Sequence, residues 1–232
     1  MRPARQIVTR SPHRRVGIIT ASWIQPEPVE HESDLEKAFI ELVLSCPALR
    51  GIRHQPFKIH YEVLEEPHWH VPDFLLTLAR DSKVVVEIKP QRFVGKHQAK
   101  FDAVAALLKQ QGVAYYVVTD AHLTRSRVRT ASLWRRYARG EIDDASAAQV
   151  FGLLQVATRS WQEVVDLGVQ PAIVSHLLGR RAIHCADGLD FTPDSRLLLP
   201  SKEELSDEHV CFESWFGCLP WGAQLDTETP PG

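Results

Sequence analysis

The 232-residue sequence lacks the features that mark membrane, disulfide-rich and repetitive proteins. No apolar run approaches the roughly 18 residues that a helix needs to span a bilayer. The four cysteines are scattered without a Cys-x-x-Cys pair, so neither a zinc finger nor a disulfide framework is indicated. Internal repeats, low-complexity segments and the apolar region of a secretory signal are also missing. We therefore expect a cytoplasmic protein of a reducing compartment that does not enter a membrane.

Charge is balanced over the whole chain but uneven along it. The 27 Lys and Arg residues against 29 Asp and Glu residues give a net charge of −2, which by itself predicts no polyanionic partner. Residues 1–15 hold five Arg and no acid, and residues 92–139 hold ten Lys or Arg against two Asp. From Ser201 onward there are seven acids and one Lys. The gradient favours a surface that meets phosphates, although solvated faces explain the same unevenness.

Residues 31–120 show the periodicities of an α/β domain. Helices are predicted over residues 33–47 and 97–111, a half-buried strand over 57–64, a hairpin over 74–79 and 84–88, and a buried strand over 113–118. The order of these elements predicts an α/β sandwich with a mixed sheet. The preceding residues, 1–30, are rich in Arg and Pro and are expected to form an extended basic arm.

The second half of the chain has a different pattern. Helices are predicted over residues 127–139, 145–157, 160–167 and 171–181, followed by a short apolar strand at 197–199. Small helices that close on a short strand suit a winged helix-turn-helix domain, which we expect over residues 121–205. Residues 206–232 are acidic and Pro-rich, and we expect them to be a tail that orders on a partner.

Three charged residues of the α/β half have a pattern suited to phosphodiester chemistry. Pro72-Asp73 opens one predicted strand, and Glu87 and Lys89 lie two apart in the next, where their side chains emerge on one face. Two carboxylates that converge from neighbouring strands suit Mg²⁺. A nearby lysine suits the positioning of a water or a phosphoryl oxygen. The alternative is that Asp73 is a turn residue and that Glu87 and Lys89 are a solvated pair.

Other polar residues near this pattern carry open alternatives. Glu36 is a candidate third carboxylate, but it also completes a capping box that begins at Ser33. The segment His68-Trp69-His70 is interpreted as a strand edge near substrate rather than a metal site. Gln98 and Lys100, on the next predicted helix, are interpreted as a solvated face rather than phosphate contacts.

Several basic residues of the second half are candidates for contact with DNA. In the helix predicted over 171–181, the residues Ser175, His176, Arg180 and Arg181 are expected to face outward. The alternative is a plain helix bundle with solvated arginines.

Taken together, these residues resemble the TnsA family, the endonuclease subunits of heteromeric transposases. The resembling stretches are Ser33-Asp34-Leu35-Glu36, Gln55-Pro56, Val71-Pro72-Asp73-Phe74, Val86-Glu87-Ile88-Lys89-Pro90, Leu133-Trp134-Arg135-Arg136-Tyr137, Leu178-Gly179-Arg180 and Leu189 with Thr192-Pro193-Asp194-Ser195. The resemblance covers residues 30–200, with the order and spacing of the motifs kept over both halves.

The resemblance implies a restriction-endonuclease-like core with a mixed sheet, residues 31–120, followed by a winged-helix domain. It implies cleavage of double-stranded DNA at the 5′ ends of a transposon, with Mg²⁺ as cofactor and Mn²⁺ as a substitute. Glu36, Asp73, Glu87 and Lys89 would be catalytic, and the three carboxylates would bind the metal.

The resemblance also implies partners and a setting. An integrase-like transposase subunit would cut and join the 3′ ends, and an ATPase regulator would license both reactions in the bacterial cytoplasm. Arg135, Arg136, His176, Arg180 and Arg181 are the candidate DNA contacts. A stand-alone restriction or repair nuclease and a non-catalytic DNA-binding regulator remain the alternatives.

Overall fold

A computed structural model describes residues 16–200 and 207–223 of the chain. Residues 1–15 of the expected arm, and residues 201–206 and 224–232, lie outside the described part. The strands are β1 Gly17–Ile19, β2 Val29–His31, β3 Leu49–His54, β4 Ile59–Val63, β5 Glu66–His70, β6 Phe74–Leu78, β7 Lys83–Ile88, β8 Ala114–Val118, β9 Arg159–Ser160, β10 His184–Cys185 and β11 Arg196–Leu198. The helices are α1 Asp34–Val43, α2 Gln91–Val94, α3 Gln98–Gln110, α4 Arg125–Ala138, α5 Asp144–Val156, α6 Trp161–Asp166, α7 Pro171–Gly179 and α8 Glu208–Phe216.

A four-stranded sheet in the order β3-β6-β7-β8 forms the centre of the first half. β3 and β7 flank β6 in antiparallel pairing, whereas β8 runs parallel to β7. The parallel connection passes through α3, because two parallel neighbours need a crossover between them. The expected mixed sheet with helices is confirmed.

The two faces of this sheet are buried under different elements. Side chains alternate along a strand, so Val84 and Val86 of β7 face the core that contains α1, and Val85 faces the core that contains α3. Glu87 belongs to the same face as Val85 and therefore lies on the α3 side. This alternation places a buried carboxylate among apolar neighbours at the end of β7.

Two strands of the first half differ from the sequence-based expectation. The strand predicted over 57–64 is present as β4, but it pairs with β5 in a separate two-stranded ribbon outside the sheet. The ribbon turns at Leu64 and Glu65, which both have positive φ. β3 was not predicted, since a register shift between Leu49 and Gly51 breaks its apolar alternation.

The second half contains α4 to α7 and a small antiparallel sheet in the order β10-β11-β9. α7 packs closely on α4 through Gly179, where a Cβ atom would come within 2.3 Å of the Trp134 carbonyl oxygen. Only glycine permits this approach of the two backbones. The predicted helices agree with α4 to α7 to within two residues at each boundary.

The residues that follow 206 do not behave as predicted. The expectation of a tail that orders only on a partner is wrong for residues 207–223, because α8 packs into the main core. Phe212 and Phe216 are fully buried, and the Trp215 indole N–H donates to the Leu42 carbonyl at 3.0 Å. Beyond α8, the backbone N–H of Trp221 donates to Tyr115 of the edge strand β8 at 2.7 Å.

The end of the expected basic arm is also part of the fold. β1 and β2 pair antiparallel, and Ile19 and Val29 on them are buried. Within the described residues, no helix is long and apolar enough to cross a bilayer.

Candidate active site

Asp73 and Glu87 lie level with each other at one end of β6 and β7. Asp73 immediately precedes β6, and one step beyond the antiparallel pair Phe74–Val86 brings Asp73 opposite Glu87. Oδ2 of Asp73 accepts the backbone N–H of Ile88 at 2.7 Å, which holds the carboxylate against the end of β7. The strand pairing therefore converts a separation of fourteen residues in sequence into adjacency.

Two lysines and a histidine surround the Glu87 carboxylate, whose side chain is only 2% exposed. The His70 Nε2 atom lies 2.8 Å from Oε2, and the Lys100 and Lys89 Nζ atoms lie 2.9 Å and 3.4 Å from Oε1. Burial acts to raise the pKa of Glu87, but the His70 hydrogen bond and the charges of His70, Lys100 and Lys89 outweigh it and lower the pKa to about 2. Glu87 is thus a permanent anion held by cations.

Asp73 experiences the opposite effect. Burial raises the pKa of Asp73 well above its ordinary value, and the negative charges of Glu87 and Glu36 raise it further. The backbone hydrogen bond from Ile88 and the charge of Lys89 only partly offset this. Three carboxylates are therefore close enough to repel one another, which is the electrostatic setting that a bound cation relieves.

Glu36 has a structural role and is also within electrostatic reach of the other two carboxylates. Its oxygens accept the Glu32 backbone N–H at 2.7 Å and the Ser33 hydroxyl at 2.9 Å, while its own N–H donates to the Ser33 Oγ atom. Ser33 therefore caps α1 as the alternative role predicted, but the Glu36 carboxylate accepts the Glu32 N–H rather than the Ser33 N–H of a capping box. Burial raises the pKa of Glu36, and the charges of Glu32 and Glu87 add to the effect.

Two members of this cluster were missed by the sequence analysis. Lys100 was interpreted as part of a solvated face, but its ammonium group contacts the buried Glu87. His70 was interpreted as part of a strand edge, and it is the end of β5, from which its ring reaches Glu87. His70 lies three residues before Asp73, whereas Lys100 follows Lys89 by eleven residues, so its contact depends on the packing of α3 over the sheet.

A buried hydroxyl adds to the polarity of the same sheet face. Tyr115 of β8 is 2% exposed, and its hydroxyl has no hydrogen-bond partner within the described residues. Burial raises the pKa of Tyr115 well above its usual value, and the charges of Glu87 and Asp73 add to this. Sequence reasoning treated Tyr115 only as strand content.

The donor set fits a metal ion held by two carboxylates. No group of three or more His, Cys, Asp or Glu side chains converges on one point within residues 16–200 and 207–223. Asp73 and Glu87 are nevertheless adjacent, and Mg²⁺ characteristically uses one or two carboxylates and retains several waters. The contact of Lys100 with Glu87 occupies an oxygen that such an ion would use, so the two cations would compete for it.

The candidate DNA contacts of the second half are placed differently from expectation. The prediction that His176 and Arg181 face outward is wrong: His176 is buried with Nδ1 3.0 Å from the Tyr137 carbonyl, and Arg181 donates to the carbonyls of Cys46 and Leu49. Ser175, expected to face outward with them, is also buried. These groups stabilise the packing of α7 and of the first half.

The remaining candidates are two half-buried side chains, Arg135 and Arg180, and one exposed side chain, Arg136. Arg135 forms a bidentate ion pair with the buried Glu41 at 2.5 and 2.8 Å, so its guanidinium is committed within the chain. Arg180 is half-buried and lies over the Trp23 ring at 5.4 Å. Arg136 is exposed on α4.

A mixed sheet flanked by helices, with two carboxylates and a lysine at the end of its central strands, fits an α/β nuclease-like core. Residues 46–120 match the family model described as TnsA-like endonuclease N terminal. These residues are therefore similar to the TnsA-like endonucleases, and the resemblance found in the sequence is confirmed for this part of the chain. The match contains Asp73, Glu87 and Lys89 and ends before α4. No curated protein matches the chain.

Proposed function

We propose that the protein is the metal-dependent DNA endonuclease subunit of a heteromeric transposase and cleaves at the 5′ ends of the transposon. The observation that supports this most directly is the adjacency of Asp73, Glu87 and Lys89 at one sheet end inside the segment that matches the TnsA-like family. Mutual repulsion of the carboxylates supports a role for them as cation ligands.

Asp73 and Glu87 would hold Mg²⁺ or Mn²⁺, with Glu36 as a nearby negative charge, and the ion would acidify a water and offset the charge that develops on phosphorus. Lys89, a quarter exposed and 3.4 Å from Glu87, positions the attacking water. His70 orients the Glu87 carboxylate through its 2.8 Å contact. The Lys100 ammonium is half-buried beside Glu87 and therefore lies next to the place where the substrate phosphate would bind. When substrate enters, Lys100 moves from Glu87 to a non-bridging phosphate oxygen.

The second half is proposed to be a winged-helix domain that holds DNA or a partner subunit. The succession of α5, β9, α6, α7, β10 and β11, with β11 between the two other strands, supports this assignment. An integrase-like transposase subunit and an ATPase regulator are the proposed partners.

Strand-specific cleavage of an end-labelled transposon-end duplex, with Mg²⁺ and with or without the neighbouring transposase, tests the proposal. The wild type is compared with Asp73→Ala and with Glu62→Gln, which removes an exposed carboxylate on the ribbon. We expect a 5′-end cut that requires the transposase, disappears in Asp73→Ala and persists in Glu62→Gln.

Other outcomes separate the alternatives. Cutting by the wild type without the transposase would identify a stand-alone nuclease. DNA binding by the wild type with no cutting in any combination of metal and partner would identify a non-catalytic regulator. Equal cutting by the wild type and Asp73→Ala would place the active site elsewhere.

A further inference from the structure

The exposed side of α4 carries a row of arginines. Arg125, Arg129, Arg136 and, at the C-cap, Arg139 are all exposed. At 3.6 residues per turn these four positions fall within about 80° of the helix circumference. We call them the arginine row. The opposite side of α4 is buried through Ala131, Trp134 and Ala138, so the helix cannot turn the row inward.

Arginines on the two sides of α4 differ in their partners. Arg127 and Arg135, which point inward, bond to backbone carbonyls of α8 and to Glu41. Within residues 16–200 and 207–223, no acidic side chain forms an ion pair with the arginine row. α4 itself contains no Asp or Glu. Among the described residues, the row is therefore a line of positive charge without an acidic partner on a helix packed against the core.

The arginine row begins near the candidate active site. The backbone N–H of Lys89 donates to the Val118 carbonyl at 3.0 Å, and the backbone N–H of Gln91 donates to the Asp120 carboxylate at 2.7 Å. Asp120 therefore lies beside the candidate active site. Arg125 is five Cα–Cα steps from Asp120, a span of at most about 18 Å. From there the row extends about 21 Å along the helix axis.

We propose that the arginine row binds the phosphate backbone of duplex DNA next to the cleavage site; this inference rests on the proposed function. Its length of about 21 Å corresponds to about six base pairs at 3.4 Å per nucleotide of a strand. Guanidinium groups pair with phosphate in bidentate geometry. The row contains no large apolar side chain of the kind that forms the centre of a protein interface. Leu133 and Tyr137, which are apolar and exposed, lie beside it.

The salt dependence of DNA binding tests this surface without requiring cleavage. The dissociation constant for a labelled transposon-end duplex is measured in EDTA over a range of salt concentrations. The wild type is compared with the double variant Arg129→Gln/Arg136→Gln and with the charge-matched control Lys83→Gln/Lys109→Gln on β7 and α3. Thermal midpoints equal to that of the wild type show that both double variants fold.

The arginine variant is expected to reduce the slope of log K against log salt by about 1.8, since each phosphate contact contributes about 0.9. At 0.1 M salt this corresponds to a loss of affinity of roughly 50-fold. The control is expected to retain the wild-type slope. A slope unchanged by the arginine substitutions, or failure of the wild type to bind duplex, would overturn the inference.

Two further comparisons distinguish DNA binding by the arginine row from protein binding by α4 and from failure of the proposed catalytic site. If Leu133→Ala/Tyr137→Ala lowers transposase-dependent cleavage while the arginine variant keeps both slope and cleavage, α4 binds a protein instead of DNA. If the arginine variant changes the slope but Asp73→Ala still cuts, the arginine row stands and the proposed catalytic site fails. If the arginine variant keeps the wild-type slope and Asp73→Ala does not cut, only the proposed DNA contact of the arginine row is rejected.

Discussion

Glu87 and Asp73 lie level with each other, but their surroundings stabilise different protonation states. The His70 hydrogen bond and the neighbouring lysines outweigh the effect of burial and lower the pKa of Glu87 from 4.5 to about 2, so its charge stabilises the folded state. This corresponds to about 3 kcal/mol, fully present above pH 4.5 and lost as the pH falls toward 2. Without metal, Glu87→Gln should therefore lower the free energy of unfolding at pH 7 by about that amount. Urea titrations in EDTA at several pH values measure it. An equal loss at pH 2 would contradict this account.

The pKa shift of Asp73 has the opposite direction and therefore the opposite effect on the stability of the folded state. Its pKa is raised by burial and by two neighbouring carboxylates, so the folded state loses stability as the pH rises from 3.8 towards the raised pKa, and the loss is constant above it. Asp73→Asn keeps the shape and an acceptor for the Ile88 N–H, and should increase the free energy of unfolding at pH 8 in EDTA. The gain should disappear below pH 3.8, where Asp73 is protonated in both states. A variant less stable than the wild type at pH 8 would show that the carboxylate is not under repulsion.

Some residues of the site could be predicted from the sequence and others could not. Asp73, Glu87 and Lys89 could be predicted because they lie at the ends of neighbouring strands. The apolar runs that form these two strands can be recognised in the sequence. Lys100 and His70 depend on how α3 and the ribbon pack over the sheet, which no local pattern contains. The apolar periodicity of α7 predicts that His176 faces solvent. This prediction is wrong because α4 covers that side of α7.

α8 is an element whose importance depends on packing that is distant in sequence. Its Phe216 is 1% exposed and stacks on Phe39 of α1 with ring centroids 5.2 Å apart. Phe216→Ala should lower the free energy of unfolding by about 3–5 kcal/mol, since it leaves a cavity in the core. Val210→Ala, on the exposed side of the same helix, should change it by less than about 0.5 kcal/mol. Urea denaturation of both variants measures the difference, and equal effects would mean that α8 does not belong to the core.

The elements that could be predicted are those with a regular apolar period and a clear end. α3 follows this rule, because its period ends at Gly112, which adopts positive φ. α8 was assigned to a tail because the acids and prolines around it dominate the local composition. The strand β3 was not predicted because its bulge removes the apolar alternation that identifies a strand.

At the scale of the whole molecule, the two halves are joined by a buried ion pair. Glu41 of α1, with its side chain 3% exposed, receives both hydrogen bonds from Arg135 of α4. Removing either partner leaves a buried charge, so Glu41→Met and Arg135→Met should each destabilise the protein by about 3–5 kcal/mol. Unfolding followed by circular dichroism and by tryptophan fluorescence measures these losses.

The double variant Glu41→Met/Arg135→Met decides how this pair acts. Two apolar side chains of similar volume leave no uncompensated charge, and such replacements of buried pairs are often neutral. The double variant should therefore be more stable than either single variant, which requires a coupling energy larger than either single loss of about 3–5 kcal/mol. Additive losses would show that the two side chains act independently. Separation of the unfolding curves into two transitions in the single variants, but not in the double variant, would show that the pair also makes the two halves unfold as one cooperative unit.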